Sequence, residues 1–135
     1  MFSSSQEETQ QLGHKLAQQL SPNSVLAVQG DLGAGKTTLI KGIVSSVLGL
    51  DPALVNSPTF TYLNIYPGDP VFYHFDLYRI QNENDFFKLG FLDYLDAGGI
   101  CCIEWPERIR SILPEKTLWI QLAYHDATKR VLKWV

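Results

Sequence analysis

The chain has 135 residues, 45% of them hydrophobic, and a net charge of −3. This length suits one domain, spanning 1–135, with a sizeable core. No basic run is longer than Lys129-Arg130, which argues against stable DNA binding, and no apolar run approaches the roughly 18 residues of a membrane span.

Met1 to Glu8 has neither the positive start nor the apolar centre of a signal peptide, so a soluble, cytoplasmic protein is expected. Ser4 or Ser5 is placed to cap a first helix, with Glu7 and Glu8 in capping-box spacing. Leu12, Leu16 and Leu20, with Ala17, then make one apolar stripe. Ser21-Pro22-Asn23 ends that helix. Val25 to Val28 is a short apolar run, read as a buried strand.

Directly after it comes Gly30-Asp31-Leu32-Gly33-Ala34-Gly35-Lys36-Thr37, the pattern of a phosphate-binding loop. From Thr38 to Leu48, Leu39, Ile43 and Val47, with Ile40, Val44 and Leu48, have helical spacing, and Gly49 ends the helix. The motif therefore joins a strand to a helix. Its glycines let successive N–H groups converge on phosphate oxygens, and the helix N-terminus adds partial positive charge. Lys36 brings a compact cation for the β- and γ-phosphates, Thr37 a hydroxyl for Mg²⁺, and Thr38 a hydroxyl for an α-phosphate.

A loop over 53–58 closes with Ser57-Pro58. Residues 59–66 and 71–78 are rich in β-branched and aromatic side chains across Pro67-Gly68-Asp69-Pro70, which predicts an antiparallel hairpin. That makes the sheet mixed rather than purely parallel. Glu83 to Leu95 reads as helix interrupted at Gly90. Ile100-Cys101-Cys102-Ile103 reads as a strand buried on both faces, which sends the two adjacent cysteines to opposite sides. A short helix from Pro106 to about Leu113 and two strands, 118–124 and 130–135, complete the α/β pattern.

Two acids end apolar strand runs, Asp76 and Glu104. Ligands of α/β sheets sit at the carboxyl ends of the parallel strands, and a triphosphate with Mg²⁺ needs a carboxylate near the metal. One acid would hold the metal through water while the other holds it directly or orients the attacking water; sequence alone does not divide these roles. Thr59 reads either as a γ-phosphate sensor or as a plain strand start. His74, two residues before Asp76, reads as a structural histidine or as a hydrogen-bond partner near the site. Trp105 reads as core, or as held beside Glu104 for the site or a partner. Arg79 and Arg130 read as solvated or as nucleotide contacts.

Together, Gly-Asp-Leu-Gly-Ala-Gly-Lys-Thr-Thr at 30–38, Ser-Pro-Thr-Phe at 57–60, His-Phe-Asp-Leu-Tyr-Arg at 74–79 and Ile-Glu-Trp-Pro-Glu at 103–107 resemble the TsaE (YjeE) family in order and spacing. The resemblance runs from Glu8-Thr9 to the C-terminus. It implies a P-loop ATPase with a mixed sheet and helices on both faces, required for threonylcarbamoyladenosine in bacterial tRNA. It implies that Gly33, Ala34, Gly35, Lys36, Thr37 and Thr38 bind the ATP phosphates, that Thr37 and Glu104 hold Mg²⁺, and that Asp76 belongs to the catalytic site. Trp105 matches the family's tryptophan beside the acid, Thr9 a threonine near the adenine, and Arg130 an arginine near the nucleotide. The implied partners are TsaD and TsaB, with tRNA reached only through that complex.

Three readings compete. In the first, an ATPase of low intrinsic turnover works as a switch on a partner enzyme. In the second, a small-molecule kinase would carry an arginine-bearing lid, but 77–99 holds only Arg79 and Lys88 as cations. In the third, a nucleotide-gated interaction module works by binding alone. A GTPase lacks support, since no Asn-Lys-x-Asp guanine reader is present.

Overall fold

The computed structural model describes residues 1–135. In chain order it forms β1 (Phe2–Ser3), α1 (Gln6–Ala17), β2 (Val25–Gln29), α2 (Lys36–Leu48), β3 (Leu63–Tyr66), β4 (Phe72–Asp76), α3 (Glu83–Lys88), β5 (Ile100–Glu104), β6 (Leu118–Tyr124) and β7 (Arg130–Trp134). Short 3-10 turns occupy Pro52–Leu54, Leu92–Asp96 and Pro106–Ile112. One seven-stranded sheet has the order β1-β7-β6-β2-β5-β4-β3. Its centre, β6-β2-β5-β4, is parallel, while β3, β7 and β1 pair antiparallel at the margins. The sheet is thus mixed, as the hairpin predicted.

The central strands are buried on both faces because each face carries its own core. On one side α1 and α2 lay Leu12, Leu16, Leu39 and Ile43 over Leu26, Val28, Cys102 and Ile120. On the other, Phe75, Leu77, Phe86 and Ile109 pack on Cys101 and Ile103. The two cysteines therefore face opposite ways. Both are unpaired and buried, and burial pushes the Cys101 thiol up to about 12 and Cys102 well above its ordinary value, so neither is a nucleophile.

Several local expectations differ from the fold. The stretch 59–62 is turn, not strand, so β3 begins at Leu63. Its residues form the turn closed by Tyr62 N–H donating to Pro58 O, and Tyr62 takes a left-handed φ of 66°. The run 83–95 is interrupted at Gly90 as expected, but its second part is a 3-10 turn, as is the helix after Pro106. The two-residue β1 has no periodicity to reveal it. It exists because β7 presents an edge, with Phe2 opposite Val131. At the start of α1, Ser5 is the cap: its Oγ accepts from Glu8 N–H at 3.1 Å, while Glu8 Oε2 accepts from Ser4 N–H at 2.6 Å.

The α1–α2 contact depends on two glycines at the crossing. A Cβ on Gly42 would fall on the main chain of Gln10, 2.9 Å from its Cα as well as against its carbonyl oxygen, and one on Gly13 would sit 2.9 Å from Ile43 N. Backbone atoms of a packed helix cannot move aside as a side chain can. Gly42→Ala is therefore expected to lower stability in urea unfolding by about 1–3 kcal/mol through overpacking. The gain of about 1 kcal/mol in helix propensity works against this loss. A more stable variant would show that the helices do not need this close approach.

Candidate functional site

The strand order brings the phosphate loop and both strand-end acids to one edge of the sheet. β2 runs into the loop, β5 lies beside β2, and β4 lies beside β5, with Asp76 opposite Glu104 and Glu104 opposite Val28. The loop then enters α2 at Gly35, in a left-handed conformation with φ 102° that a residue with a Cβ adopts only under strain. A cavity of about 330 Å³ opens there, lined among others by Lys36, Thr37, Thr59, Asp76, Glu104 and Trp105. A second, of about 150 Å³, lies alongside and is bordered by Thr9, Ala34, Thr128 and Arg130. Gln6, Gly33, Gly35 and Thr38 line both.

Lys36 is buried. Its Nζ donates to Gly30 O at 2.5 Å and Asp31 O at 2.9 Å and stands 4.1 Å from the centre of the Trp105 ring. It takes part in no ion pair within the protein. Burial lowers its pKa, and the charges of Glu104, Glu107, Asp76 and Asp31 offset only part of that. A buried cation balanced by no adjoining carboxylate is the electrostatic complement of a phosphate.

Glu104 is gripped from two sides. Thr37 Oγ1 donates towards its carboxylate, 2.9 Å from Oε1 and 3.0 Å from Oε2, and His74 Nε2 lies 2.7 Å from Oε2. Asp76 Oδ1 accepts from Tyr78 N–H and Oδ2 from Thr59 Oγ1, each at 3.0 Å. Burial raises the Asp76 pKa, and the nearby Glu104 charge adds to it, against the lowering by Tyr78, Thr59 and His74. No three His, Cys, Asp or Glu side chains are grouped to hold a metal by themselves. That suits Mg²⁺, which takes one or two protein oxygens and fills its octahedron with phosphate oxygens and water. The Thr37 hydroxyl and the Glu104 carboxylate, already in contact, would supply such oxygens to a bound Mg²⁺.

The structure thus brings Lys36, Thr37, Thr38, Asp76 and Glu104 together with Thr59. Thr9 lies at the smaller cavity, but its hydroxyl is committed to protein: it contacts Ser3 Oγ at 2.6 Å and donates to Ser5 O at 3.1 Å. Arg130 stacks on Tyr124, 4.0 Å from the ring centre, and borders the same cavity. Arg79 lies over Phe60 instead and lines neither cavity. Trp105 adopts a left-handed φ of 59°, which turns its ring over Lys36 and against Tyr78, 5.0 Å between centres. Sequence reasoning passed over Tyr78, Gln6 and Tyr124. Tyr78 carried a signal, its place two residues beyond Asp76. Gln6 and Tyr124, whose hydroxyl donates to Leu32 O at 3.4 Å, carried none.

A family model described as threonylcarbamoyl adenosine biosynthesis protein TsaE matches residues 3–132. A tRNA threonylcarbamoyladenosine biosynthesis protein TsaE from Treponema pallidum is 41% identical over 120 residues, 89% of this chain and 87% of the relative. The Bacillus subtilis protein of that name is 41% identical over 115 residues, 84% of this chain and 70% of the relative. The crystal structure of Bacillus subtilis YdiB superposes with a TM-score of 0.80 at 31% identity, covering 99% of this chain and 82% of the other. The fold is accordingly that of a P-loop nucleotide-binding protein, and the chain belongs to the TsaE family of threonylcarbamoyl adenosine biosynthesis proteins.

Proposed function

We propose that residues 1–135 form one P-loop ATPase domain that binds and hydrolyses ATP with Mg²⁺ and acts as an ATP-driven switch on the TsaD–TsaB pair in threonylcarbamoyladenosine modification of tRNA. The observation that carries this reading is the convergence of Lys36, Thr37, Asp76 and Glu104 on one cavity at the carboxyl edge of the parallel strands. Gly33, Ala34, Gly35 and Thr38 present main-chain N–H groups and a hydroxyl to the phosphates, and Lys36 neutralises the β- and γ-oxygens. Thr37 and Glu104 would hold Mg²⁺, which would supply charge neutralisation when bound. Asp76, with its raised pKa and its geometry held by Thr59 and Tyr78, orients the attacking water and accepts its proton. The smaller cavity, with Thr9 and Arg130, takes the nucleoside.

The relatives' names support a place in the tRNA modification pathway; the partner reading itself rests on the family resemblance and on the surface beside the site. Leu32 and Phe60 are 68% and 80% exposed at or next to the phosphate cavity, apolar surface that a protein bound there would cover. No helix of the chain is long and apolar enough to cross a membrane, in keeping with work in the cytoplasm. The test is ATP hydrolysis by this chain alone, with TsaD–TsaB, and with TsaD–TsaB and tRNA. Slow release of phosphate to water alone and at least about tenfold faster release with the pair is expected, roughly 1.4 kcal/mol off the barrier. Equal rates with and without the pair would overturn the switch. Full multi-turnover tRNA modification with a non-hydrolysable ATP analogue would reduce the protein to a binding module.

A further inference from the structure

His74 is 0% exposed, and its ring is held at one nitrogen only. Nε2 lies 2.7 Å from Glu104 Oε2, while Nδ1 is buried with no hydrogen-bond partner. An ionised carboxylate can only accept, so the nitrogen facing it carries the proton. A hydrogen on Nδ1 would meet no acceptor. The contact spans the sheet: His74 sits on β4, opposite Cys102 on β5, two residues before Asp76 and on the same side. Glu104 is 3% exposed at the very end of β5, where the chain turns away at Trp105. A glutamate carboxylate sits three side-chain torsions from its main chain, so contacts must fix its orientation. Thr37 alone cannot fix it, because its hydroxyl has a single hydrogen to share between Oε1 and Oε2.

We infer that His74 is a positioning residue: by donating Nε2–H to Oε2 it holds the Glu104 carboxylate in the orientation that makes Glu104 and Thr37 a preformed Mg²⁺ ligand pair. A buried imidazole–carboxylate bond of this kind orients a ligand as the outer partners of metal sites do, and losing such a partner costs about 10–100-fold in metal affinity. The effect is specific. Phosphate binding through the loop and Lys36 does not pass through His74. The inference rests on the Mg²⁺–ATP reading of the site.

The test compares calorimetric affinities for a non-hydrolysable ATP analogue with Mg²⁺ and with EDTA, for wild type, His74→Leu and His74→Gln. Wild type is expected to bind more tightly with Mg²⁺. His74→Leu is expected to match wild type in EDTA and to lose about tenfold or more of the Mg²⁺ gain, while His74→Gln, which keeps an N–H donor, recovers most of it. A His74→Leu protein with the full Mg²⁺ gain, or one weakened equally with and without Mg²⁺, would overturn the positioning role. If wild type itself gains nothing from Mg²⁺, the Mg²⁺–ATP reading fails instead. One measurement needs no variant: in ¹⁵N-labelled wild-type protein the buried ring is expected to show a slowly exchanging proton on Nε2, and a ring protonated only on Nδ1 overturns the inference.

Discussion

Lys36→Ala is expected to leave the protein folded and to remove its response to nucleotide. At a free ATP concentration 100-fold above its Kd, wild type gains about 2.7 kcal/mol from binding, roughly 10 °C in Tm at this chain length. Losing a charge-assisted contact to phosphate worth about 3 kcal/mol weakens binding about 100-fold. The variant then gains only about 0.4 kcal/mol at the same ATP concentration. Hydrolysis is expected to fall about 10²–10³-fold, because on the proposed assignment Lys36 contacts the oxygens on which charge develops, and multi-turnover tRNA modification is expected to stop with it. In the nucleotide-free protein the electrostatic sign runs the other way. Burial holds the Lys36 pKa below its ordinary value of 10.5, so the folded protein binds this proton less tightly than the unfolded chain. The charge is therefore a cost to folding at neutral pH, which disappears only as pH rises past the ordinary lysine range. Alanine removes that cost, along with the Nζ contacts to the Trp105 ring and to the Gly30 and Asp31 carbonyls. A Tm within a few degrees of wild type without nucleotide is expected by thermal denaturation. A variant that keeps the nucleotide-dependent shift and supports full modification would sink the assignment of Lys36.

Asp76→Asn is expected to stabilise the fold while stopping the chemistry. Its carboxyl pKa is raised above 3.8, first by burial and then by the Glu104 charge, so the folded state binds the proton more tightly than the unfolded chain. Ionised Asp76 thus lowers stability. This cost is absent below the ordinary carboxylate range and sets in as pH rises through the raised value. Asparagine removes the charge and can keep both hydrogen bonds, its oxygen accepting from Tyr78 N–H and its amide donating to Thr59 Oγ1. The expected gain at neutral pH is about 1 kcal/mol, roughly 3–5 °C, and it should vanish when unfolding is followed at about pH 3, below the ordinary carboxylate value. Hydrolysis should fall about 10²–10⁴-fold, the usual worth of a positioned base. A variant with wild-type turnover removes Asp76 from the chemistry. One less stable at pH 7 would show that its hydrogen bonds outweigh the charge. On the proposed assignment, this edge of the sheet gives up stability for function: the burial that makes Lys36 and Asp76 costly to charge would strengthen their action on phosphate and water.

The phosphate loop was legible because it is local. Eight consecutive residues, a strand before them and a helix after them carry their own geometry, and Gly35 adopts the left-handed turn its lack of a side chain permits. The hairpin was legible in kind, since four turn residues separate two β-rich runs, but not in length. Thr59 to Tyr62 has strand composition and still folds as a turn, which puts the Thr59 hydroxyl on Asp76. Strand composition describes what fits a pleated sheet, not whether a partner strand is present to pair with it.

Asp76 and Glu104 illustrate the division. Their types and strand-end positions can be read along the chain, because apolar runs that stop at an acid are local patterns. Their meeting cannot, for it requires β5 to insert between β2 and β4 and to pair in the register that sets Asp76 opposite Glu104. The His74–Glu104 bond, the Lys36–Trp105 contact and the Gly13–Gly42 crossing have the same origin. By itself the sequence determined the phosphate loop, the helical and strand periods and the supply of acids, all encoded within a few residues by turn chemistry and hydrophobic spacing. Only the tertiary structure decided which acid touches Thr37, which imidazole lies against it, and how burial shifts the pKa values of Lys36 and Asp76, because these depend on burial and on contacts between residues far apart in the chain.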